Sequence, residues 1–482
     1  MSSILEYEPK LVWKHFDEIR KIPRCSKHEE KIREYILDFA EKQGLKTKTD
    51  KTGNILVEKP ATKGMENKPI VVLQGHMDMV CEKNKEVEHD FSKDPIKLKI
   101  DGDKLKADGT TLGADNGVGV AIALAILEDK NLKHGPIEAL FTVDEETGLT
   151  GAFALESDFL KGRVLLNLDS EDFGVITVGC AGGGDSIITL PVKKQKIENN
   201  VEFLTLKVSG LKGGHSGVDI HEQRGNAIKL LSRILWKAKQ RCNLYLADVT
   251  GGDKHNAIPR EATALVAVKK NDEEEFEKIV NSEGKNILEE IKPIDPGFKV
   301  EVEKADERDA TFDKKSTETL INLLYALPHG VLAMSFDIPG LVETSTNLAK
   351  VRVEGEKVSI AMSSRSSIKS ALQATRDRIH AIASLAEAEV EEKSAYPGWK
   401  PNMNSKLLAL AKKVFKDMFN EEAKVEAIHA GLETGIIGEK FPGMDMISIG
   451  PTIKHPHSPD EYVEISTVEK FYKYVLKILE SL

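Results

Sequence analysis

His76 and Asp78 stand two residues apart in the stretch VVLQGHMDMV, Val71 to Val80. In extended chain both side chains leave the same face. An imidazole and a carboxylate so placed suit a metal ligand whose second ring nitrogen is held, which fixes the tautomer and raises ligand basicity; a hydrogen-bonded surface pair is the competing reading. More residues of the same chemistry follow downstream. Asp115 lies at the end of the Gly-rich loop in ADGTTLGADNGVGVAIALAILED, residues 107–129, where it could equally cap the helix that follows. Asp144, Glu145 and Glu146 are consecutive, and three adjacent carboxylates repel one another unless a cation is near or water solvates them. Asp169 comes next, and His455 and His457 stand far along the chain. Two histidines and three carboxylates from such a set could bind two zinc ions with one carboxylate shared, and a spare carboxylate would be the general base.

The elements that must carry these residues are legible from periodicity. Residues 70–75, 136–143 and 163–168 are apolar runs that predict buried strands, and each runs directly into metal-capable side chains. Ligands in open α/β sheets bind beyond the carboxyl ends of strands, so the recurrence counts for more than any one match. Helical periodicity covers 8–22 and 27–43, the second opened by Ser26 and Glu29 at capping-box spacing. His15 and His28 in these helices are expected to be solvated. The glycines before Asp115 match neither G-x-x-x-x-G-K-[ST] nor G-x-G-x-x-G, which discounts a phosphate cradle.

From about residue 187 the pattern changes. Strands at 201–209, 243–249, 261–269 and 298–304 and helices at 222–240 and 272–291 follow in β-α-β-β-α-β order, which predicts an antiparallel sheet with helices on one face. Similar material runs through 340–352, 356–363, a helix at 366–385 and a strand at 386–393. The α/β texture resumes after 395 with helices at 403–418 and 466–480. The expected organisation is an α/β domain, 1–186 and 395–482, with a mixed sheet flanked by helices, into which an α+β (ferredoxin-like) domain, 187–394, is inserted. Within the insert, GLKGGHSG puts four glycines around His215, and Asn256 and Arg365 are the further polar residues that could serve a ligand.

A chain of 482 residues is too long for one core. Its formal charge of -10 argues against nucleic-acid and anionic-membrane partners, which want a basic face. No apolar run reaches the ~20 residues of a membrane helix, and the amino-terminal stretch has neither the basic nor the apolar region of a secretory signal. Cys25, Cys81, Cys180 and Cys242 show no paired spacing, so free thiols in a reducing cytoplasm are expected. A metal role for Cys81, close to His76, is a lesser alternative.

The blocks GHMDMV, DGTTLGADNGVG, DEETGLTGA, NLDSEDFG, GLKGGHSGVDIHEQRGNA and HPHSPDE together resemble the co-catalytic zinc aminopeptidase and carboxypeptidase clan, and within it the cytosolic Xaa-His dipeptidases, over nearly the whole chain. The resemblance implies a zinc-peptidase catalytic domain and an inserted lid or dimerisation domain, hence a homodimer. It also implies two Zn2+, with Co2+ or Mn2+ able to substitute, held by His76, Asp115 as bridge, Glu146, Asp169 and His457. Asp78 would orient His76, and Glu145 would be the base. His215 would support the oxyanion, from this chain or a partner, while Arg365 would hold the carboxylate of a dipeptide substrate with Asn256 nearby. Glu433 and Asp172 are candidates to pair with a free substrate ammonium. An amidohydrolase that deacylates N-acyl amino acids would share the same ligands. A non-catalytic peptide-binding protein would not need Glu145.

Overall fold

The computed structural model describes residues 3–197 and 200–482; Met1 and Ser2 of the amino-terminal stretch, with Glu198 and Asn199, lie outside the described residues. The chain forms two compact units: Met1–Cys180 with Trp399–Ala427 and Leu432–Leu482, and Ala181–Gly398 with Ile428–Gly431.

The first unit opens with helices α1 (Lys10–Ile19) and α2 (Glu30–Lys42). Its strands are β1 (Lys46–Thr49), β2 (Ile55–Lys59), β3 (Val71–His76), β4 (Leu98–Asp101), β5 (Lys104–Ala107), β6 (Ile137–Thr142), β7 (Val164–Asn167) and β8 (Val175–Cys180), joined late in the chain by Lys424–Ile428 and Asp445–Ser448. The main sheet is mixed, in the order β1, β2, β6, β3, β7, Asp445–Ser448, β8, Lys424–Ile428. Its centre is parallel: β3 runs beside β6 in register Val71↔Ile137 and beside β7 in register Val71↔Val164. Every residue of β3 and β6 is buried, as continuous apolar runs in a covered parallel sheet require. Because the three strands point the same way, their carboxyl ends fall on one edge of the sheet.

Helix α3 (Ala114–Glu128) is apolar on all sides and buried accordingly. Asp115 and Asn116 have non-helical φ/ψ inside its first turn, and no side chain caps its amino end. The Asp115 carboxylate oxygens face His76 and His457 rather than amides of the helix, so the capping alternative for Asp115 is not realised. Gly119 explains the close seat of this helix: a Cβ there would lie 2.5 Å from the Leu168 carbonyl oxygen and 2.5 Å from Asn116 Oδ1. A short helix α4 (Glu145–Gly148) follows β6.

Three local expectations fail in this unit. His15 is buried, 2% exposed, with Nε2 2.8 Å from a Glu128 carboxylate oxygen and Nδ1 3.2 Å from Tyr35 Oη. Residues Ser26 and Glu29 do not form a capping box: Ser26 Oγ donates to Asp78 Oδ2 at 2.8 Å, and Glu29 accepts from Lys27 N and Asp144 N. Cys25 and Cys81, expected as free thiols, are joined in a disulfide across a separation of 56 residues, which also removes Cys81 as a ligand. Pairing of Cys25 with Met79 as a parallel bridge brings the two together, and no spacing along the chain announces it. Cys180 and Cys242 are free and buried.

The second unit carries an antiparallel sheet in the order Lys299–Lys304, Val201–Ser209, Ala262–Lys269, Leu244–Gly251, Val342–Glu354, Lys357–Ser366, Gly182–Pro191, Glu389–Glu392. The first four strands with helices Ala227–Ala238 and Glu273–Ile291 make the β-α-β-β-α-β arrangement. Helices Lys314–Ala326 and Lys369–Leu385 contribute further residues to its core, among them Leu320, Leu324 and Ile379. Among the described residues no helix is long and apolar enough to cross a membrane.

Candidate metal centre

His76 is the last residue of β3, 1% exposed, and its ring is fixed at both nitrogens. Nδ1–H donates to the Asp78 backbone oxygen at 3.1 Å, with the Asp78 carboxylate slightly farther at 3.4 Å. The imidazole is thus held chiefly by the main chain of residue 78. The Asp78 carboxylate itself accepts from Glu145 N at 3.1 Å, Glu146 N at 3.2 Å and Ser26 Oγ. Burial would raise its pKa, but the His76 contact and these donors outweigh that and hold it at about 2. One buried anion therefore locks the turn that follows β6 against the turn that follows β3.

His76 Nε2 faces Asp115 Oδ1 at 3.0 Å and Asp169 Oδ1 at 3.3 Å. The other oxygen of Asp115 faces His457 Nε2 at 3.3 Å, and that nitrogen lies 2.9 Å from Glu146 Oε2. Two triads result, His76 with Asp115 and Asp169, and Asp115 with Glu146 and His457, each with its ligand atoms within 4.8 Å of one another. They share one carboxylate. Glu145 stands beside them, its carboxylate within 4.8 Å of ligand atoms of His76 and Glu146. His455, the other late histidine, belongs to neither triad.

The electrostatics of this cluster call for positive charge. Burial, then the neighbouring Asp169, Glu433 and Glu146 charges, push Glu145 well above the usual carboxylate range, with His76 opposing. Burial likewise raises Asp169 to about 6. The hydrogen bonds that His457 donates to Asp115 and Glu146 raise it strongly, and although burial opposes it, the Asp169 charge and the bonds to carboxylates raise His76. Glu146 Oε1 is buried with no hydrogen-bond partner among the described residues. Imidazoles, carboxylates and an unpartnered buried oxygen at these spacings fit a pair of divalent cations.

Several residues at this centre were not foreseen. Arg24, 3% exposed, donates to the Met77, Asp78 and Gly113 carbonyls. Glu461, 2% exposed, accepts from the backbone of 112–115. These contacts join segments far apart in sequence, and the one signal was that Glu461 is the last residue of the block HPHSPDE, to which no role was given. Of the two acids considered for an ammonium, Asp172 is paired with Lys454. Glu433 is buried, accepts from Gln74 Nε2 at 2.6 Å and Thr142 Oγ1 at 2.8 Å, and leaves Oε1 unpartnered among the described residues.

His215, Asn256 and Arg365 all belong to the second unit. His215 pairs with Ala257 in a two-stranded ladder, and Ser216 N donates to the Asn256 carbonyl at 2.9 Å. His215 Nδ1 accepts from Gly217 N at 3.2 Å and Val218 N at 3.0 Å. Burial and the Arg365 charge lower its pKa, so the neutral ring carries its proton on Nε2. Arg365 donates to Tyr396 Oη at 2.8 Å and keeps a buried Nε without a partner among the described residues. A Cβ on Gly217 would lie 3.1 Å from both Arg365 Nε and His215 Cε1, so the glycine lets the two approach. His429, bonded to Ser345 Oγ at 2.7 Å, adds an unforeseen imidazole whose backbone carbonyl abuts Gly217.

Comparison with known proteins gives the chain its relatives and its family. The chain is 42% identical over 482 residues to the cytosol non-specific dipeptidase of Escherichia coli strain K12, covering 100% of this chain and 99% of the relative. A crystal structure of aminoacylhistidine dipeptidase from Vibrio alginolyticus superimposes with a TM-score of 0.95 at 43% identity, covering 100% of this chain and 98% of that one. The aminopeptidase PepT of Bacillus cereus, at 17% identity over 98% of both chains, shares the fold with a TM-score of 0.57. The model of peptidase family M20/M25/M40 matches residues 72–481, and the chain belongs to that family.

Proposed function

We propose that this protein is a metal-dependent dipeptidase that hydrolyses Xaa-His and related dipeptides. The observation that carries the reading is Asp115, whose two oxygens face two separate histidine–carboxylate pairs. His76, Asp115 and Asp169 would hold one cation, and Asp115, Glu146 and His457 the other. Two Zn2+ suit imidazole and carboxylate donors, and Co2+ or Mn2+ would substitute. When bound, the pair supplies a water of lowered pKa and a Lewis acid for the peptide carbonyl.

Glu145 takes the proton of the attacking water and returns it to the leaving amine. The positive charge of bound cations acts against the burial and carboxylate repulsion that raise this group, which makes it a base. Asp78 keeps His76 and the Glu145–Glu146 turn in place. His215 donates through Nε2 to the oxyanion, within one chain or from a partner copy. Arg365 holds the substrate carboxylate, with Asn256 nearby, and Glu433 is the acid offered to its ammonium. We further propose a cytoplasmic enzyme that dimerises through the second unit, with neither nucleic acid nor membrane as partner.

A metal-stripped and zinc-restored assay tests this, with Ala-His, β-Ala-His, Ala-Leu, Ala-Ala-His and acetyl-His as substrates read by mass spectrometry. Zinc-dependent cleavage of the dipeptides alone is expected, and the Ala-Leu arm measures how far specificity extends beyond histidine. Cleavage of acetyl-His alone would replace the proposal with a deacylase.

A further inference from the structure

One carboxylate outside the ligand set collects four consecutive backbone donors. Glu461 Oε2 accepts from Leu112 N at 2.7 Å and Gly113 N at 3.0 Å, and Oε1 from Ala114 N at 2.8 Å and Asp115 N at 3.3 Å. The last of these amides belongs to the residue whose two oxygens would bridge the cations. Glu461 is buried, four residues beyond His457, and enters strand Tyr462–Glu464, which pairs with β5. Its position is thus tied to a sheet, while His457 rides on the same segment. Arg24 donates to the Gly113 carbonyl of the same loop and to the carbonyls of Met77 and Asp78 beside His76. The loop 112–115 is gripped through its amides by an anion and through a carbonyl by a cation, both buried.

We propose that Glu461 is a positioning residue for the metal centre: it sets the 112–115 backbone so that Asp115 presents one oxygen to each cation site, and it fixes Asp115 relative to His457. This rests on the two-cation reading of the site. Its physical basis is that a carboxylate supplies acceptors for all four amides. A glutamine offers one carbonyl oxygen and points its NH2 at donors, which leaves buried N–H groups unpaired.

The test is calorimetric titration of metal-stripped wild type, Glu461→Gln and Glu461→Asp with Co2+, with visible absorption spectra of the loaded proteins and steady-state kinetics on Ala-His. Wild type is expected to bind two ions per chain. Glu461→Gln is expected to bind one or both ions about 10- to 100-fold more weakly, as loss of groups that orient ligands typically does. Its Co2+ spectrum should change, and kcat should fall with KM for Ala-His little altered. Glu461→Asp keeps the charge and should recover part of the affinity. It serves as the test variant if Glu461→Gln does not fold. Wild-type affinity, stoichiometry and spectrum in a folded variant, with only the melting temperature lowered, would make Glu461 merely structural and overturn the proposal. Failure of wild type itself to bind two ions would instead overturn the two-cation reading, and the role of Glu461 with it.

Discussion

At the residue scale, roles follow from which atoms are left to act once the others are bonded. Glu145 contributes its amide to Asp78 and keeps its carboxylate beside the triads. Substitution by Ala is therefore expected to lower kcat by about 100- to 10,000-fold while two ions still bind, as elemental analysis of the purified variant will report. Loss of an ion in step with activity would make Glu145 a ligand. His215 has Nδ1 committed to two backbone amides, so only Nε2 can donate. His215→Ala should cost about 100- to 1000-fold in kcat with metal content unchanged. The raised pKa values of His76 and His457, the latter about 11, carry a sign as well: the neighbouring carboxylates favour the doubly protonated imidazolium in the metal-free protein, and a cation competes with the Nε2 proton. Affinity for Zn2+ should accordingly rise with pH between 6 and 8, measured by competition with a chelator of known pH dependence.

At the element scale, the site exists because three parallel strands end on one edge and a buried helix approaches closely enough to add Asp115. Gly119 permits that approach. Gly119→Ala places a Cβ 2.5 Å from the Leu168 oxygen and should destabilise the metal-bearing unit by about 1–3 kcal/mol, read from denaturant titration. The strands were legible because a covered parallel strand is a plain apolar run, and the three runs at 70–75, 136–143 and 163–168 match β3, β6 and β7 closely. The regular helix beyond Asn116 was legible too, since the Gly-rich loop reads as ending at Asp115 and Asn116, the two residues with non-helical dihedrals. The role of Ser26 was not: its spacing from Glu29 fits a capping box, yet a buried Asp78 claims its hydroxyl.

At the scale of the whole molecule, two units carry different chemistry and should respond differently to conditions. Chelation is expected to lower the melting transition of the unit that holds both triads, because a ligand bound only to the folded state stabilises it by mass action; calorimetry with and without chelator followed by zinc restoration will check this. In the second unit, burial and then the Arg365 charge depress His429 to about 3 from an ordinary 6.5. A depressed value means the unfolded chain takes the proton more readily. This group's contribution is full above about pH 6.5 and is lost as pH falls toward 3. The melting temperature of wild type should thus fall more steeply on acidification than that of His429→Gln.

The sequence by itself determined the class of chemistry, the elements that end in it and the family, because apolar periodicity and compact motif blocks are local signals. Residues such as His76, Glu146 and Asp169 could be named from their place at strand ends. The family resemblance already implied Asp115 as the shared carboxylate; tertiary structure decided that its Oδ1 faces His76 and its Oδ2 faces His457, and that the His76 ring is held by the Asp78 main-chain carbonyl before its carboxylate. It also decided that His15 is buried, that Cys25 meets Cys81, and that Arg24 and Glu461 grip the loop between them. Apart from the local His76–Asp78 contact, each of these depends on a contact between segments far apart in the chain, and such contacts leave no period or spacing for a linear reading to detect.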